Sequence, residues 1–551
     1  MKLLSIFFIF TLLVFGSCKK TNTDPPKPLS PFNSISTSVN GVSNTSLTYA
    51  NASIKPIVKI TFSSAIDPSG ISSSVLFNQG NGSAVSFASS IENATTLVIT
   101  PINSIASFTS FTIIISNLKS AEGSLLKNSV TLNLITGLDP ADKFPIISDD
   151  ALLTLVQKQT FNYFWDFGHP VSGLARERNT SGDLVTSGGS GFGIMSLVVG
   201  IHRQFITRAE GLARMQKMVG FLQNNAKTFH GAFPHWLDGA TGAEIPFSPK
   251  DNGADLVETS YLMQGLLTAR QYFSGTDPAE TALRNNINSL WNAVEWSWFR
   301  NNNQEVLYWH WSPNYNWDMN FKIGGWNEAL ITYVLAASSN NYAIPKSVYD
   351  SGWAKNGAMR NGNTYLGIQL PIGPDKGGPL FFAHYSFLGI NPKGLTDAYA
   401  NYEIQNKGHT LINYNYCVAN PKGFAGYSDQ SWGLTASDDP GGYLAHEPNN
   451  DNGTISPTAA LSSFPYTPAE SMKALKFFYY KLGDKTWGPY GFYDAYNLNQ
   501  TWFANSTLAI DQGPIIVMIE NHRSGLLWDL FMSCPEVKTG MKGLGFQSPN
   551  L

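Results

Sequence analysis

Acidic residues cluster at positions 251–258 of this 551-residue chain. Asp251, Asp255 and Glu258 are spaced at i, i+4 and i+7, which places them on one face of a helix that begins near Asp251. Like charges so placed raise one another's pKa, and the apolar residues around them argue against an ordinary solvated surface. Helix-dipole stabilisation would explain Asp251 and Asp255 but not Glu258. The spacing therefore favours a functional acidic site.

A second candidate segment, 308–328, carries four tryptophans, two tyrosines and one phenylalanine on a loop rich in Pro, Asn and Gly. Flat aromatic faces stack on sugar rings, so this loop predicts a sugar platform. The expected sugar-binding tryptophans are Trp236, Trp311, Trp317 and Trp326. Glu328 is expected in the first turn of the next helix, where apolar surroundings keep a carboxyl protonated, as a general acid requires. A helix-capping role is the alternative.

Two carboxyls that flank a scissile bond are the minimum for glycoside hydrolysis. One protonates the leaving oxygen, and the other activates water or attacks directly. Glu328 and the 251–258 group can supply them. Other polar residues in unusual settings are expected to line the same pocket: Arg178, His235, His384, Tyr385, Asp429 and Asp511. Zinc-ligand spacing, a Gly-x-Ser-x-Gly elbow and a phosphate loop are missing from the sequence, which predicts neither a metal nor a cofactor.

Two regions of different composition form the scaffold that must position these residues. Residues 33–136 are rich in Ser, Thr, Val and Ile in short alternating runs, which is typical of an all-β sandwich. We expect this sandwich to be a spacer or support, the alternative being a sugar-binding module. In residues 137–551 the apolar residues recur with the helical period of about 3.6. Two helix starts are marked by a capping residue, Asp277 or Thr467, followed by Pro at the first helical position and Glu at the third. Helices are predicted over 252–273, 322–338, 395–407 and 513–532, in a closed toroid or in a superhelix of helical pairs. The long aromatic loops favour the toroid, because its rim gives them a place to converge.

The N-terminus predicts an exported bacterial lipoprotein that faces the periplasm or the cell surface. Residues 1–18 read as a lipoprotein signal peptide that ends in Gly16, Ser17 and the lipidated Cys18, and an ordinary signal peptide is the alternative. Residues 19–32 are a Pro-rich linker. A net charge of −3 argues against nucleic acid and against membrane contact other than through this anchor. Cys417 and Cys534 are expected either to form a disulfide or to remain buried free thiols.

Several long motifs in this chain resemble the bacterial glucoamylase-like family, which includes the endo-β-1,2-glucanases of glycoside hydrolase family 144. The motifs are 161–178, 233–236, 251–258, 325–328 and 378–386, and the resemblance runs over 145–540. It implies an all-α (α/α)6 toroid over 137–551. The preceding segment, 33–136, resembles bacterial Ig-like domains, so the expected fold is multidomain, an Ig-like sandwich followed by the toroid.

The family resemblance also implies a chemistry. It implies an inverting, endo-acting hydrolase of β-1,2-glucan, whose important acids are Asp251, Asp255, Glu258 and Glu328. Glu328 is expected to be the general acid, while Asp255 and Glu258 bind sugar or organise the attacking water. The alternatives are an exo-acting hydrolase that releases sophorose, a phosphorylase that uses Arg176 and Arg178, and a surface lipoprotein that binds glycan without cleaving it.

Overall fold

The computed structural model describes residues 28–551, which divide into two compact units, one ending at Asp139 and one spanning Pro140–Leu551. This division lies close to the predicted boundary at residue 136. The predicted signal peptide, Cys18 and residues 19–27 of the predicted linker lie outside the described residues. Within 28–551, the helices lack the combination of length and hydropathy that a membrane crossing requires.

The first unit is built from β-strands in two sheets. The strands are β1 Ser34–Val39, β2 Thr48–Ala52, β3 Val58–Phe62, β4 Val75–Gln79, β5 Phe87–Glu92, β6 Thr96–Pro101, β7 Ser110–Ile115 and β8 Val130–Thr136. One sheet has the order β1-β3-β6-β5 and the other β2-β8-β7-β4, with β2 parallel to β8. Buried residues alternate with exposed ones, as in β8, and both sheets contribute to one hydrophobic core. The predicted β-rich region is confirmed, and Phe32, at the end of the predicted linker, already belongs to its core.

The second unit is mainly helical, as predicted. Its α-helices of five or more residues are α1 Asp149–Trp165, α2 Ser187–His202, α3 Arg208–Asn224, α4 Leu256–Tyr272, α5 Pro278–Ala293, α6 Leu330–Ser338, α7 Tyr402–Ala419, α8 Pro457–Leu461, α9 Pro468–Lys476, α10 Ala509–Arg523, α11 Leu526–Met532 and α12 Pro535–Leu544. Short strands connect them: β9 Leu184–Thr186, β10 Trp236–Asp238, β11 Glu244–Ile245, β12 Ala254–Asp255, β13 His310–Trp311, β14 Thr364–Tyr365, β15 Ile368–Gln369, β16 Ala436–Asp439, β17 Gly442–Ala445, β18 Trp487–Gly488, β19 Gly491–Phe492, β20 Tyr496–Asn497 and β21 Trp502–Phe503.

Helices α2, α4, α6 and α10 are buried almost all round, whereas α5 and α12 bury one face only. The α2 helix packs most extensively on α4 and α10. Glycines allow α2 and α4 to approach closely. A Cβ on Gly191 would lie 2.1 Å from the carbonyl oxygen of Tyr261, and a Cβ on Gly265 would lie 2.2 Å from the carbonyl oxygen of Gly191. The unit therefore has an inner group of helices whose ends are held close together.

Several predicted helix bounds are wrong. The 252–273 helix begins only at Leu256, the 322–338 helix only at Leu330, and the 395–407 helix spans Tyr402–Ala419. The 513–532 segment forms two helices, because Gly525 adopts φ 76° between them. Asp277 caps α5 as predicted, whereas the Thr467 hydroxyl donates to Ser463 O and makes no cap hydrogen bond. Cys417 and Cys534 are both buried free thiols.

Candidate active site

The N-terminal ends of α2, α4 and α10 meet at one place. Gly188 N, in the first turn of α2, donates to Oε2 of Glu258 in the first turn of α4, at 2.7 Å. A Cβ on Gly189 would lie 2.7 Å from the Cβ of Ala509, the first residue of α10. Helix N-termini present unpaired N–H groups and a partial positive charge. These N–H groups can donate to carboxyl oxygens at the place where the three helices begin.

Asp255 is fully buried and caps α4. Its Oδ1 accepts from Val257 N at 3.0 Å and from Glu258 N at 2.9 Å, and its Oδ2 accepts from Nδ1 of His235 at 3.0 Å. His310 Nε2 lies 3.6 Å from the same Oδ2. Burial alone would raise the pKa of Asp255, but the hydrogen bond from His235 and the charge of His310 hold it below its usual value. Asp255 is thus an ionised carboxylate with its oxygens already occupied.

Asp251 reaches the same place from a turn rather than from a helix. The predicted acidic stripe along one helix is therefore wrong, because Asp255 caps α4 and the chain reverses at Asn252–Gly253 before it. Asp251 Oδ2 lies 3.3 Å from Nε2 of His310, and its buried Oδ1 has no hydrogen-bond partner among the described residues. Burial and the charge of Asp255 raise the pKa of Asp251 to about 7. The three predicted acids do converge, by a different local structure.

Two histidines complete this group, which we call the acidic corner: Asp251, Asp255, Glu258, His235 and His310. Although burial disfavours an imidazolium, the charge of Glu258 and the hydrogen bond and charge of Asp255 raise the pKa of His235 to about 9. Burial lowers the pKa of His310, which the pairing of β12 with β13 sets opposite Asp255. Sequence reasoning missed His310, whose only signal was its place among the aromatic residues of 308–328.

Glu258 contributes the third carboxyl of the corner. Its Oε2 accepts from Gly188 N and from the hydroxyl of Thr186, 3.2 Å away. Burial raises its pKa, as does the charge of Asp255. With 7% of its surface exposed, against 4% for Asp251 and none for Asp255, Glu258 is the carboxyl of the corner most open to a ligand.

The acidic corner also has the donor atoms of a metal site. His235, Asp251 and Asp255 each offer one ligand atom, and these atoms lie within 4.8 Å of one another. The chemistry of one imidazole and two carboxylates fits a divalent cation. In the structure the same atoms are engaged in the hydrogen bond and ion pairs described above. The expectation of no metal stays a prediction.

Glu328 lies in a turn just before α6, so its predicted place inside a helix is wrong. The hydroxyl of Ser386 donates to the carbonyl of Glu328 and accepts from Ile331 N, which fixes this turn. The Glu328 side chain is half-buried. Burial raises its pKa to about 7, and the charges of Glu258 and Asp255 act in the same direction. Glu328 therefore keeps a proton to near-neutral pH and is open enough to give it to a ligand.

Four further carboxyls and one guanidinium form a second cluster, which consists of Asp438, Asp494, Asp511, Glu177 and Arg178. Asp511 lies in the first turn of α10, fully buried, and its carboxyl shares a hydrogen bond with that of Asp494. Burial and the charge of Asp494 raise its pKa strongly. Burial and the charge of Asp438 raise the pKa of Asp494 to about 7. The sequence predicted Arg178 and Asp511, and Glu177 lies in the 161–178 motif, but Asp438 and Asp494 were missed because they lie far from it in the chain and outside the quoted motifs.

Tyr385 connects the two acidic groups. Burial raises the pKa of its hydroxyl, and among its neighbours Asp511 and Glu328 both act in the same direction. Its ring packs edge-on against Tyr261 of α4, with the ring centroids 5.7 Å apart. The predicted Tyr385 therefore lies between Glu328 and the second cluster.

Other predicted ligand residues are engaged elsewhere. Trp326 is buried and packs beside Phe387 and Tyr402. His384 is buried against Ser463, and burial lowers its pKa to about 3. Asp429 makes a surface ion pair with Lys473.

The remaining predicted tryptophans pack on neighbouring rings. Trp311 and Trp317 both pack on Trp298, with ring centroids 5.4 and 4.8 Å apart, and half-buried Trp236 packs against Phe247. The aromatic loop is thus held together largely by its own rings.

Several known proteins are similar to this chain in sequence and in fold. A family model described as "Putative glucoamylase" matches residues 320–535. The solved structure of a "putative glucoamylase" from Bacteroides uniformis is 56% identical, with a TM-score of 0.73, and the match covers 74% of this chain and 100% of that one. An endo-β-1,2-glucanase from Chitinophaga pinensis, solved with sophorotriose and glucose, is 54% identical, with a TM-score of 0.72 and coverage of 74% and 100%.

A curated relative from Parabacteroides distasonis bears the name exo β-1,2-glucooligosaccharide sophorohydrolase (non-reducing end). It is 48% identical over 425 residues, which are 73% of this chain. This chain spans only 58% of the length of that relative.

Proposed function

Because the chain belongs to the glucoamylase-like family, we propose that it is a glycoside hydrolase that cleaves β-1,2-glucan. The observation that carries this proposal is Glu328, a half-buried carboxyl whose pKa is raised to about 7 near the ionised Asp255 of the acidic corner. A glycosidase needs one protonated and one ionised carboxyl at the same pH. The likeness to the Chitinophaga pinensis endo-β-1,2-glucanase, over that enzyme's whole chain, supports this substrate.

In this mechanism Glu328 protonates the oxygen of the leaving sugar. Glu258, the most exposed carboxyl of the acidic corner, orients the water that attacks the anomeric carbon with inversion. Asp255 is a positioning residue, since its oxygens are occupied by the start of α4 and by His235. As the bond breaks, the proton of Glu328 passes to the leaving oxygen and the water gives its proton to the carboxylate.

Endo action is the mode we propose, because the matching Chitinophaga pinensis chain is covered completely, whereas the exo-acting relative is covered over 58% of its length. The name of that relative supports exo release of sophorose as a second candidate. Product length during the first percent of turnover separates the two. A ladder of β-1,2-oligosaccharides supports endo action, and sophorose alone supports exo action.

A phosphorylase is less well supported. Arg176 donates to the carbonyls of Gly182 and Phe167, and Arg178 is paired with Glu177 and Asp438. Neither guanidinium is left to hold phosphate. The test incubates purified chain with β-1,2-glucan, with and without inorganic phosphate, beside starch and β-1,3-glucan. Phosphate-independent release of sugar from β-1,2-glucan alone is expected; formation of a sugar 1-phosphate would contradict hydrolysis.

The details of the fold and the export of the chain are part of the same proposal. The inner helices, buried all round, and the one-sided α5 and α12 support an (α/α)6 toroid, and the two sheets that share a core support an Ig-like sandwich. Glycan binding without catalysis is disfavoured by the protonated Glu328. Export and lipidation at Cys18 are tested by metabolic labelling with a fatty acid, which Cys18→Ala should abolish.

A further inference from the structure

A cavity of about 290 Å³ opens beside the second cluster. Its lining comes from Arg178, from the hairpin of β16 and β17, and from the segment Trp502–Ser506. Trp502 pairs with Asn497 in the hairpin of β20 and β21, which fixes where its indole stands. The cavity therefore has a defined aromatic wall and a defined polar wall.

Trp502 differs from the other tryptophans. Within residues 28–551, its indole is the one that stacks on no aromatic ring and faces no cation, whereas Trp298, Trp311 and Trp317 pack on one another. The Trp502 side chain is also partly exposed. A partly exposed indole that lines a cavity is a surface that can stack on the apolar face of a sugar ring.

The polar wall pairs one guanidinium with two carboxylates. Arg178 Nη1 lies 3.2 Å from Oδ2 of Asp438, and Arg178 Nε lies 2.8 Å from Oε2 of Glu177. The hydroxyl of Ser506 donates to the same Asp438 oxygen at 2.5 Å. Such a pair offers hydroxyl groups both donors and acceptors, without the net positive charge that a phosphate or an acidic sugar requires.

This wall continues into the buried carboxyls. Asp438 N donates to Oδ2 of Asp494 at 2.6 Å, and the carboxyls of Asp494 and Asp511 share a hydrogen bond. Tyr443 lies beside this group, since burial of its hydroxyl and the charges of Asp511 and Asp494 raise its pKa. Asp438 therefore connects the cavity wall to these buried carboxyls.

We propose that this cavity is a glucosyl-binding subsite of the cleft, in which Trp502 stacks on the ring and the Arg178–Asp438 pair binds its hydroxyls. The inference rests on the proposed function and extends it. Tyr385 is close to both Asp511 and Glu328, so the subsite takes a sugar unit of a chain that also passes Glu328. It binds the neutral chain away from the bond that is cleaved.

Isothermal titration of β-1,2-glucooligosaccharides into Glu328→Gln protein tests the subsite without turnover. Adding Trp502→Ala should weaken the Kd about tenfold, the size of a lost ring stack. Trp502→Phe, which keeps an aromatic face, should stay within about threefold of the Glu328→Gln parent. The matched control is Tyr342→Ala, which removes another exposed ring in the segment that follows the C-terminal end of α6, away from the helix N-termini.

An unchanged Kd in the Trp502→Ala protein would overturn the subsite. An equal loss of affinity in the Tyr342→Ala control would overturn it as well, because the effect would not be specific to the cavity. Wild-type protein that leaves β-1,2-glucan intact would instead overturn the proposed function. The two failures are thus separated by one activity assay and one titration.

Discussion

The carboxylate of Asp255 lies 3.0 Å from Nδ1 of His235 through one oxygen and caps helix α4 through the other. One buried side chain therefore fixes the start of the helix that carries Glu258 and holds the charged imidazole beside it. The relationship explains how an acidic corner can be stable in the interior: helix N–H groups and one imidazolium offset part of its negative charge.

Asp255→Ala should lower the free energy of unfolding by about 3 kcal/mol or more, since it leaves a charged His235 without its partner. It should also abolish activity, because Glu258 loses its fixed position. The control is Asp277→Ala. The Asp277 side chain caps the outer helix α5 by accepting from Ala279 N and Glu280 N, and the substitution removes this cap. That variant should lose only about 1 kcal/mol and keep its activity. Urea unfolding and initial rates decide, and an active Asp255→Ala protein would refute the role given to this residue.

The pH profile should show a basic limb near 7. Burial raises the pKa of Glu328 to about 7, so the protonated general acid is lost above that pH, and kcat/KM should fall about tenfold for each further pH unit. Asp251 and Asp494 also have pKa values raised to about 7. The limb should therefore persist in Asp251→Asn and in Asp494→Asn, measured on β-1,2-glucooligosaccharides. If the limb vanishes in either variant, the titrating group is the substituted aspartate and not Glu328.

Asp511→Asn should make the protein more stable. The folded-state pKa of Asp511 is raised by burial and by Asp494, so the folded chain prefers the protonated form and loses stability as the pH rises above the unfolded value. Asparagine removes that cost. At about pH 8 the variant should melt on the order of 2 °C above wild type, and at about pH 4 the difference should shrink. A lower melting temperature for the variant at the higher pH would contradict a buried, destabilised Asp511.

Chelation should leave activity unchanged. The three potential ligand atoms of His235, Asp251 and Asp255 are engaged in a hydrogen bond and ion pairs within the corner. Dialysis against EDTA, followed by assay with and without added divalent cations, measures this. Loss of turnover on chelation, restored by one cation, would mean that the acidic corner is a metal centre.

Sequence reasoning identified the acids better than their local structure. Asp251, Asp255 and Glu258 do converge, but a helical spacing suggested one helix, whereas a cap and a turn bring them together. An aspartate that begins a helix has the same spacing to the next acid as one inside it, so periodicity alone could not place the first residue of α4. Glu328 was displaced from its predicted helix for the same reason.

The sugar contacts were the least predictable part. The aromatic loop attracted attention by its density, yet Trp311 and Trp317 pack on Trp298, and Trp326 lies in the core. The lone Trp502 gave no local signal, since its distinguishing property is the absence of neighbouring rings in space. The second cluster likewise joins Glu177, Asp438 and Asp494 from distant segments, which only the fold brings together.

The most direct measurement compares wild-type and Glu328→Gln protein on β-1,2-glucan, with folding checked by melting temperature. The wild type should release β-1,2-oligosaccharides, and the variant, which keeps the shape of Glu328 but cannot supply its proton, should be slower by about a thousandfold at unchanged melting temperature. A variant that cleaves at close to the wild-type rate would show that Glu328 is not the general acid. A wild-type protein that releases nothing would show that β-1,2-glucan is not its substrate.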